Sequence, residues 1–233
     1  MKRLICALKG DIRYQWRYGF YFIYAFMSVL YVVIIRLLPE SWRETALIVT
    51  LLSDPALLGF FFIGGILQLE RGEGLLDALF LSPLRPHEYA LSKALSLGLV
   101  AAAAGLLVAL GSGLPGVRYA LLVPSMLIGS MCFTFIGISV SVNLKSTNAF
   151  LGIDGLWEIL LLAPPLLLIF GINFALLEAF PGSITLRLIQ SSVSSDTPFA
   201  LGAALLAAWT GTAFYLAHLR LTAALSRLGG SAA

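Results

Sequence analysis

The chain has 233 residues, of which 59% are hydrophobic and only 12% are charged, and its mean hydropathy is +0.94. A soluble domain of this length needs many more charged side chains to cover its surface, so the composition excludes a water-soluble fold and predicts an all-α integral membrane protein. The formal net charge of +3 requires no nucleic-acid partner, and two cysteines in such a chain do not indicate a disulfide framework.

Residues 1–17 are predicted to form a helix that lies in the membrane interface. Five apolar residues recur at helical spacing, whereas three basic residues follow one another every fourth position on another face. The apolar residues are Leu4, Ile5, Leu8, Ile12 and Trp16, and the basic residues are Lys9, Arg13 and Arg17. The alternative is that this segment is the ordinary positively charged flank of a first span.

Six apolar stretches are long enough to cross a bilayer, which requires about 20 residues each. They lie at about 18–38, 46–69, 88–112, 118–142, 155–177 and 197–218. Within the second stretch, Ser53-Asp54-Pro55 interrupts the apolar run and indicates a kink or two pieces. The whole chain, 1–233, is therefore predicted to be one transmembrane domain of six helices.

The basic residues predict the orientation, because cytoplasmic loops of membrane proteins are enriched in Lys and Arg. Eleven of the fifteen fall in the terminal segments and alternate loops that share one side, and only Arg36, Arg43, Arg118 and Arg187 fall on the other. We therefore expect a multi-pass protein of the plasma membrane (the inner membrane of a bacterium) with both termini in the cytoplasm.

A short amphipathic helix is predicted in the cytoplasmic loop that follows the second span. One helical face carries Leu75, Leu76, Leu79 and Phe80, and another carries Glu73 and Asp77. Ser82-Pro83 ends this helix, and Pro86 with Glu88 suits the first turn of the next one. A loop that only joined two spans could be shorter, so the extra helix indicates a docking surface.

The segment from Leu177 to Thr197, between the fifth and sixth spans, is too short and too polar to cross a membrane. Backbone at membrane depth must be buried in protein or hydrogen-bonded within a helix. We therefore predict a re-entrant or interfacial helix on the outer side.

Three polar residues within the spans are candidates for contact with a substrate: Asp54, Glu158 and Asn173. Ionisable groups at membrane depth are costly and often functional. Each also has a structural interpretation. Asp54 could cap a helix before Pro55, and Glu158 could lie near a helix N-terminus, which favours negative charge. Asn173, with the Pro164-Pro165 pair, could mark a kink that frees backbone carbonyl groups.

Evidence for catalysis is weak. The sequence contains no G-x-x-x-x-G-K-[ST] phosphate-binding loop, and neither histidine has a metal ligand at suitable spacing. Ser139 with His218 is the one pairing that an intramembrane serine protease could use. No catalytic, cofactor-binding or metal-binding residue is predicted, and an intramembrane enzyme or a membrane assembly factor stays the alternative to a transporter.

The loop after the second span resembles that of permease subunits of ABC-2 type ATP-binding-cassette transporters. The pattern typical of that family is E-G-T-L…L…S-P…E…G-K. This sequence matches it with Glu73-Gly74-Leu75-Leu76, Ser82-Pro83, Glu88 and Lys93. It departs from it at two positions, with Leu75 in place of Thr and Ser92 in place of Gly. Among such permeases, the chain is similar to the short bacterial drug exporters of the fluoroquinolone type.

The resemblance implies an exporter permease that moves an apolar or amphipathic, drug-like or lipid-like, substrate. ATP and Mg²⁺ would be bound by a separate cytoplasmic ATPase subunit, and a second permease protomer, identical or different, would complete the pathway. The loop would serve as the coupling helix to the ATPase. Its residues in this sequence are Glu70, Glu73, Gly74, Leu75, Leu76, Asp77, Leu79, Phe80, Ser82 and Pro83.

Overall fold

A computed structural model describes residues 2–75, 84–144, 147–194 and 199–230. The regular structure within these ranges is entirely helical. The helices are α1 (Lys2–Arg17), α2 (Phe20–Leu37), α3 (Glu40–Leu51), α4 (Leu58–Gly72), α5 (Pro86–Ser112), α6 (Tyr119–Ser141), α7 (Thr147–Ile169), α8 (Ala175–Glu178), α9 (Pro181–Val193) and α10 (Phe199–Gly230). The predicted all-α class is confirmed.

Five helical segments of the described chain are long and apolar enough to cross a membrane: α2, the α3–α4 segment, α5, α6 and α10. The fifth span was predicted at 155–177, and the helix in this region has different bounds. Helix α7 begins eight residues earlier, at Thr147, and ends at Ile169, where the chain turns at Gly171 with a φ of 83°. Its apolar part, Gly155–Ile169, is shorter than the other five segments.

The second span begins at Glu40, before the predicted residue 46, and continues to Gly72 through a π-helical turn at Leu52–Ala56. Pro55 lies within this turn, which widens the helix where the proline removes a backbone donor. Asp54 lies in the same turn, near the middle of the segment. The residues that cap the turn and α4 are Leu51 and Leu57, so Asp54 is not the predicted helix cap.

Helix α6 is the centre of the bundle and packs against α4, α5, α9 and α10. Its contact with α4 depends on small residues. A methyl group on Gly59 would overlap Ser130 and Thr134, and one on Gly137 would overlap Ile63 and the backbone of Phe60. Close approach of small residues is the usual way in which helices associate in lipid. By contrast, α2 and α10 leave most of their apolar surface on the outside of the bundle.

The segment between α7 and α10 contains the predicted helix, and it is buried. In α9, ten of thirteen residues are buried against α3, α6, α7 and α10. Gly182 lies directly on the backbone of Leu161 in α7. Arg187 is exposed and pairs with Glu178 of α8 at 2.5 Å. The backbone of α9 is thus enclosed by protein, which meets the condition for a non-spanning helix at membrane depth.

Arginine side chains close several helix C-termini, where the last carbonyl groups lack partners within the helix. Arg36 donates to Gly111 at the end of α5 (2.6 Å), and Arg118 donates to Ser191 at the end of α9. Arg43 donates to Arg36 and Leu38 at the end of α2. Arg71 donates to Val142 and Leu144, just beyond α6.

We predict that Gly137→Ala lowers the stability of the protein by about 1–3 kcal/mol, because the added methyl group overpacks the contact between α4 and α6. Gly65→Ala is the matched control, since a methyl group there meets no atom within 4 Å. Thermal unfolding of the two purified variants in detergent measures the difference. Equal midpoints for both variants would contradict the close-packing account.

Candidate functional site

Helix α1 presents three faces where the sequence predicted two. Asp11 and Gln15 are buried against the bundle, although both are polar. Exposed apolar residues form a second face, with Trp16 exposed by 74%. The basic residues Lys9 and Arg13 are exposed as well. The predicted range and apolar surface of this helix match the structure, but the buried polar face was not predicted.

The buried face of α1 meets a lysine within the apolar helix α5. Lys93 is 2% exposed, and its ammonium group lies 2.5 Å from Asp11 Oδ1 and in contact with Glu70 Oε1. Asp11 comes from α1, Glu70 from the last turn of α4, and Lys93 from the second turn of α5. We call these three residues the base cluster. It joins α1 to both helices that flank the 73–85 loop.

All four carboxylate oxygens of the base cluster have a donor. Lys93 occupies one oxygen of each carboxylate, the hydroxyl of Ser92 donates to Asp11 Oδ2, and the hydroxyl of Tyr89 donates to Glu70 Oε2 at 2.5 Å. Burying an ion pair is favourable only when such additional hydrogen bonds compensate for lost hydration. The three charges are therefore held in a fixed geometry.

Two tyrosine rings and a second polar contact surround the base cluster. The ammonium group of Lys93 lies 5.2 Å from the ring centre of Tyr89 and 5.7 Å from that of Tyr14, within the range of cation–π attraction. Burial raises the pKa of the Tyr14 phenol well above its ordinary value, so this phenol stays neutral. One helical turn further on, Gln15 donates to Ser96 of α5 at 2.8 Å.

Only part of the predicted coupling loop lies in the described ranges. Glu70 belongs to α4 and to the base cluster, not to a separate loop helix. Glu73 follows α4 and accepts a hydrogen bond from Tyr18, and the chain turns at Gly74 with a φ of 69°. Leu75 is exposed. The residues outside the described ranges are Leu76, Asp77, Leu79, Phe80, Ser82 and Pro83.

The start of α5 agrees with the sequence. Pro86 occupies the first turn, and the carboxylate of Glu88 accepts a hydrogen bond from the backbone N–H of Arg85 at 3.0 Å. This arrangement fixes the point at which the chain returns from the loop to the bundle.

Two of the three predicted substrate-contact residues line one cavity. Asp54 from the π-helical turn and Glu158 from α7 lie in the wall of a pocket with a volume of about 310 Å³, between α2, α4 and α7. Asn173 is not among the residues that line it. That residue is exposed in the turn after α7.

The two members of the candidate protease pairing, Ser139 and His218, each contact another residue. Ser139 donates to Phe135 in its own helix, and the ring of His218 packs against His87 at 5.8 Å between ring centres. Among the residues that the structure describes, no three His, Cys, Asp or Glu side chains lie together as metal ligands.

Sequence reasoning missed Asp11 and the role of Lys93, which was noted only as a motif position and a positive charge. Two signals could have found them. Asp11 is the one acidic residue in a strongly basic segment, and Lys93 lies two turns inside an apolar span. A charge in such a position usually has a partner of opposite sign. In addition, Asp11 and Gln15 are spaced to face Ser92 and Ser96.

A bundle with five helical segments long and apolar enough to cross a bilayer, in the part of the chain that the structure describes, defines a multi-pass membrane protein. The chain belongs to the fluoroquinolones export permease protein family, which it matches over residues 2–217. It is also similar to two proteins named fluoroquinolones export permease protein from Mycobacterium tuberculosis, strains CDC 1551 / Oshkosh and ATCC 25618 / H37Rv. Each is 29% identical over 167 residues, covering 71% of this chain and 70% of the relative. These matches confirm the resemblance seen in the sequence.

We predict that Lys93→Met destabilises the protein by about 3–5 kcal/mol, because it leaves two buried carboxylates without a cation. The triple variant Lys93→Met/Asp11→Asn/Glu70→Gln should recover most of this loss, since no unpaired charge remains. Lys9→Met, at an exposed lysine of α1, serves as the control. Thermal unfolding in detergent measures all three. A triple variant no more stable than Lys93→Met would contradict the assignment of the loss to unpaired charge.

Proposed function

We propose that this protein is the membrane-spanning subunit of an ATP-binding-cassette exporter and that a separate cytoplasmic subunit binds and hydrolyses ATP. Family membership supports the transport role, and the base cluster supports the coupling role. The single observation on which the proposal most depends is that a buried three-charge cluster ties α1, α4 and α5 together at the root of the 73–85 loop.

Coupling requires that a force on the loop reach the helices without being lost in local flexibility. In the proposed mechanism the ATPase contacts the loop, with the side chains of Leu76, Leu79 and Phe80 inserted into a groove on its surface. Glu70 and Lys93, near the two ends of the loop, are paired with each other, and Lys93 is also paired with Asp11 of α1. Displacement of the loop would therefore move α1, α4 and α5 together and alternate the access of the pathway.

A second permease protomer completes the proposed transporter. The exposed apolar surfaces of α2 and α10 are larger than those of the central helices, and in a bilayer they contact lipid or another subunit. The dimer would place the transport pathway between two copies, or between this chain and a related one.

The proposed topology has six spans in the plasma membrane with both termini in the cytoplasm. Helix α7 has 23 residues, and at 1.5 Å per residue it is about 35 Å long, against a hydrocarbon core of about 30 Å. Its apolar part, Gly155–Ile169, is about 22 Å long, so the turns before Gly155 would complete the crossing. The four arginines that fall on the proposed outer side have structural partners. Arg36, Arg43 and Arg118 donate to carbonyl groups at helix ends, and Arg187 pairs with Glu178. Their positions thus have an explanation independent of the orientation rule.

We propose an amphipathic substrate of low molecular mass. The relatives are named for fluoroquinolone export, and the pocket that contains Asp54 and Glu158 is mostly apolar with few polar groups, which is typical of small-molecule sites. No cofactor is required of this chain, because ATP and Mg²⁺ would be held by the partner.

We predict that Leu79→Ala/Phe80→Ala reduces co-purification of the ATPase subunit, because truncating a buried anchor typically costs about 2 kcal/mol or more of binding. Substrate-stimulated ATP hydrolysis in lipid should be lost. The matched control is Leu107→Ala/Leu110→Ala, which removes exposed apolar side chains from α5, away from the loop and from the proposed contact surfaces of α2 and α10. Full coupling in the loop variant would contradict the docking role of this loop.

The topology can be tested with the native cysteines. Cys6 is exposed in α1, whereas Cys132 is buried in α6. We predict that a membrane-impermeant maleimide fails to label Cys6 in intact cells but labels it in inverted vesicles. A cysteine at Ser82 should behave in the same way, and one at Glu44, on a Cys6→Ser background, should show the opposite pattern. Labelling of Cys6 from outside intact cells would reverse the proposed orientation.

A further inference from the structure

A cavity with a volume of about 310 Å³ lies between α2, the π-helical turn and α7, near the middle of the α3–α4 segment. Its wall includes the carboxyl groups of Asp54 and Glu158 and the aromatic rings of Tyr24, Phe61 and Phe62. We call it the acidic cavity. It is separate from the base cluster, which lies at the opposite end of α4.

We propose that the acidic cavity binds an amphipathic organic cation, which rests on the proposed function and assigns a charge to the transported compound. The first argument is the charge of the wall. The lining residues include two acidic side chains and no Lys or Arg. Neither Asp54 nor Glu158 takes part in an ion pair with another described residue. Asp54 is hydrogen-bonded to the side chain of Tyr31, which is uncharged. An acidic group at membrane depth is costly without a cation, so a bound cation supplies the missing countercharge.

The second argument is an unused hydroxyl group. Tyr24 is 5% exposed and lines the cavity, but its hydroxyl has no hydrogen-bond partner in the described chain. A buried hydroxyl without a partner costs free energy comparable to a lost hydrogen bond. A ligand with a polar head near Asp54 would give this hydroxyl a partner.

The third argument concerns the apolar part of the ligand. The rings of Tyr24 and Phe62 lie 5.3 Å apart between centres, and Phe61 is adjacent. Aromatic faces attract both apolar groups and cations. Ile23 and Phe61 are 48% and 45% exposed on the outer surface of the bundle, so the cavity opens sideways between α2 and α4. A compound dissolved in the bilayer can therefore reach the carboxyl groups without crossing the bundle.

Binding of tetraphenylphosphonium to the purified permease tests the proposal. The protein is placed in nanodiscs of phosphatidylcholine, and empty nanodiscs correct for partition into lipid. Tetraphenylborate, an anion of nearly the same size and shape, is the charge-reversed probe. We expect saturable binding of the cation, with affinity about tenfold or more lower in Asp54→Asn/Glu158→Gln. Tetraphenylborate should not compete.

Two further variants separate the site from the fold. Tyr24→Phe, which removes one oxygen, should leave the affinity for tetraphenylphosphonium unchanged, because this cation has no hydrogen-bonding group. The same variant should weaken binding of a diphenylalkyl primary ammonium ion about two- to tenfold, the effect of one hydrogen bond. Glu44→Gln removes an exposed carboxyl group outside the cavity and should leave affinity unchanged. Thermal unfolding of every variant in the same nanodiscs identifies any loss of fold.

Equal affinity for tetraphenylphosphonium in the wild type and in a folded double variant would overturn the proposal, as would equal binding of the borate. Since this assay contains no ATPase subunit or nucleotide, its result does not depend on coupling. Failure of the ATPase to co-purify with the wild type would count against the proposed function and leave the cation-binding result unaffected.

Discussion

The arrangement of this protein depends on one buried lysine. Lys93 lies within an apolar helix and is enclosed by two carboxylates that come from two other helices. Burying the ammonium group here would be costly without both carboxylates, and burying either carboxylate would be costly without the lysine. The three helices therefore have to meet at this point. This constraint turns the amphipathic N-terminal helix from a loosely attached segment into part of the bundle.

The remaining charges follow the same rule of local compensation. Arginines at helix ends donate to carbonyl groups that have no partner within their own helices. Such contacts place positive charge at the negative ends of helix dipoles. Basic residues in this chain thus have two separate roles, which the sequence alone does not distinguish. In the proposed topology some bias the orientation in the membrane, and others close helix ends.

Much of the fold was predictable because it follows from apolar length. Runs of about 20 apolar residues locate spans such as α5 and α6, and the pair Pro86 and Glu88 locates the start of α5. The end of α7 was not predictable from hydropathy, because the residues after Gly171 are still apolar although the chain turns there. The start of α3 was missed for the opposite reason. The first turns of α3 are polar, so hydropathy does not detect them, although the helix already begins at Glu40.

The sites were predictable only in part. Asp54 and Glu158 stood out as acids inside apolar runs, but their positions more than 100 residues apart gave no indication that they would line one cavity. The role of Asp11 was not predicted because the pattern of its helix is basic and amphipathic. The role of Glu70 was not predicted because this residue borders the predicted loop. A pairwise contact between distant helices leaves no periodic signal in a single sequence, so opposite charges had to be matched by chemistry rather than by spacing.

Helix α4 physically connects the two sites, since it begins after the turn that carries Asp54 and ends beyond Glu70. In the proposed mechanism, α4 carries the displacement of the loop to the acidic cavity while the base cluster keeps α1 and α5 in step. The most direct test is a distance measurement between spin labels at Cys6 in α1 and at a cysteine replacing Leu99 in α5, in the complex with the ATPase subunit. We predict the same distance distribution with and without bound ATP. Separation of α1 from α5 on ATP binding would contradict the account.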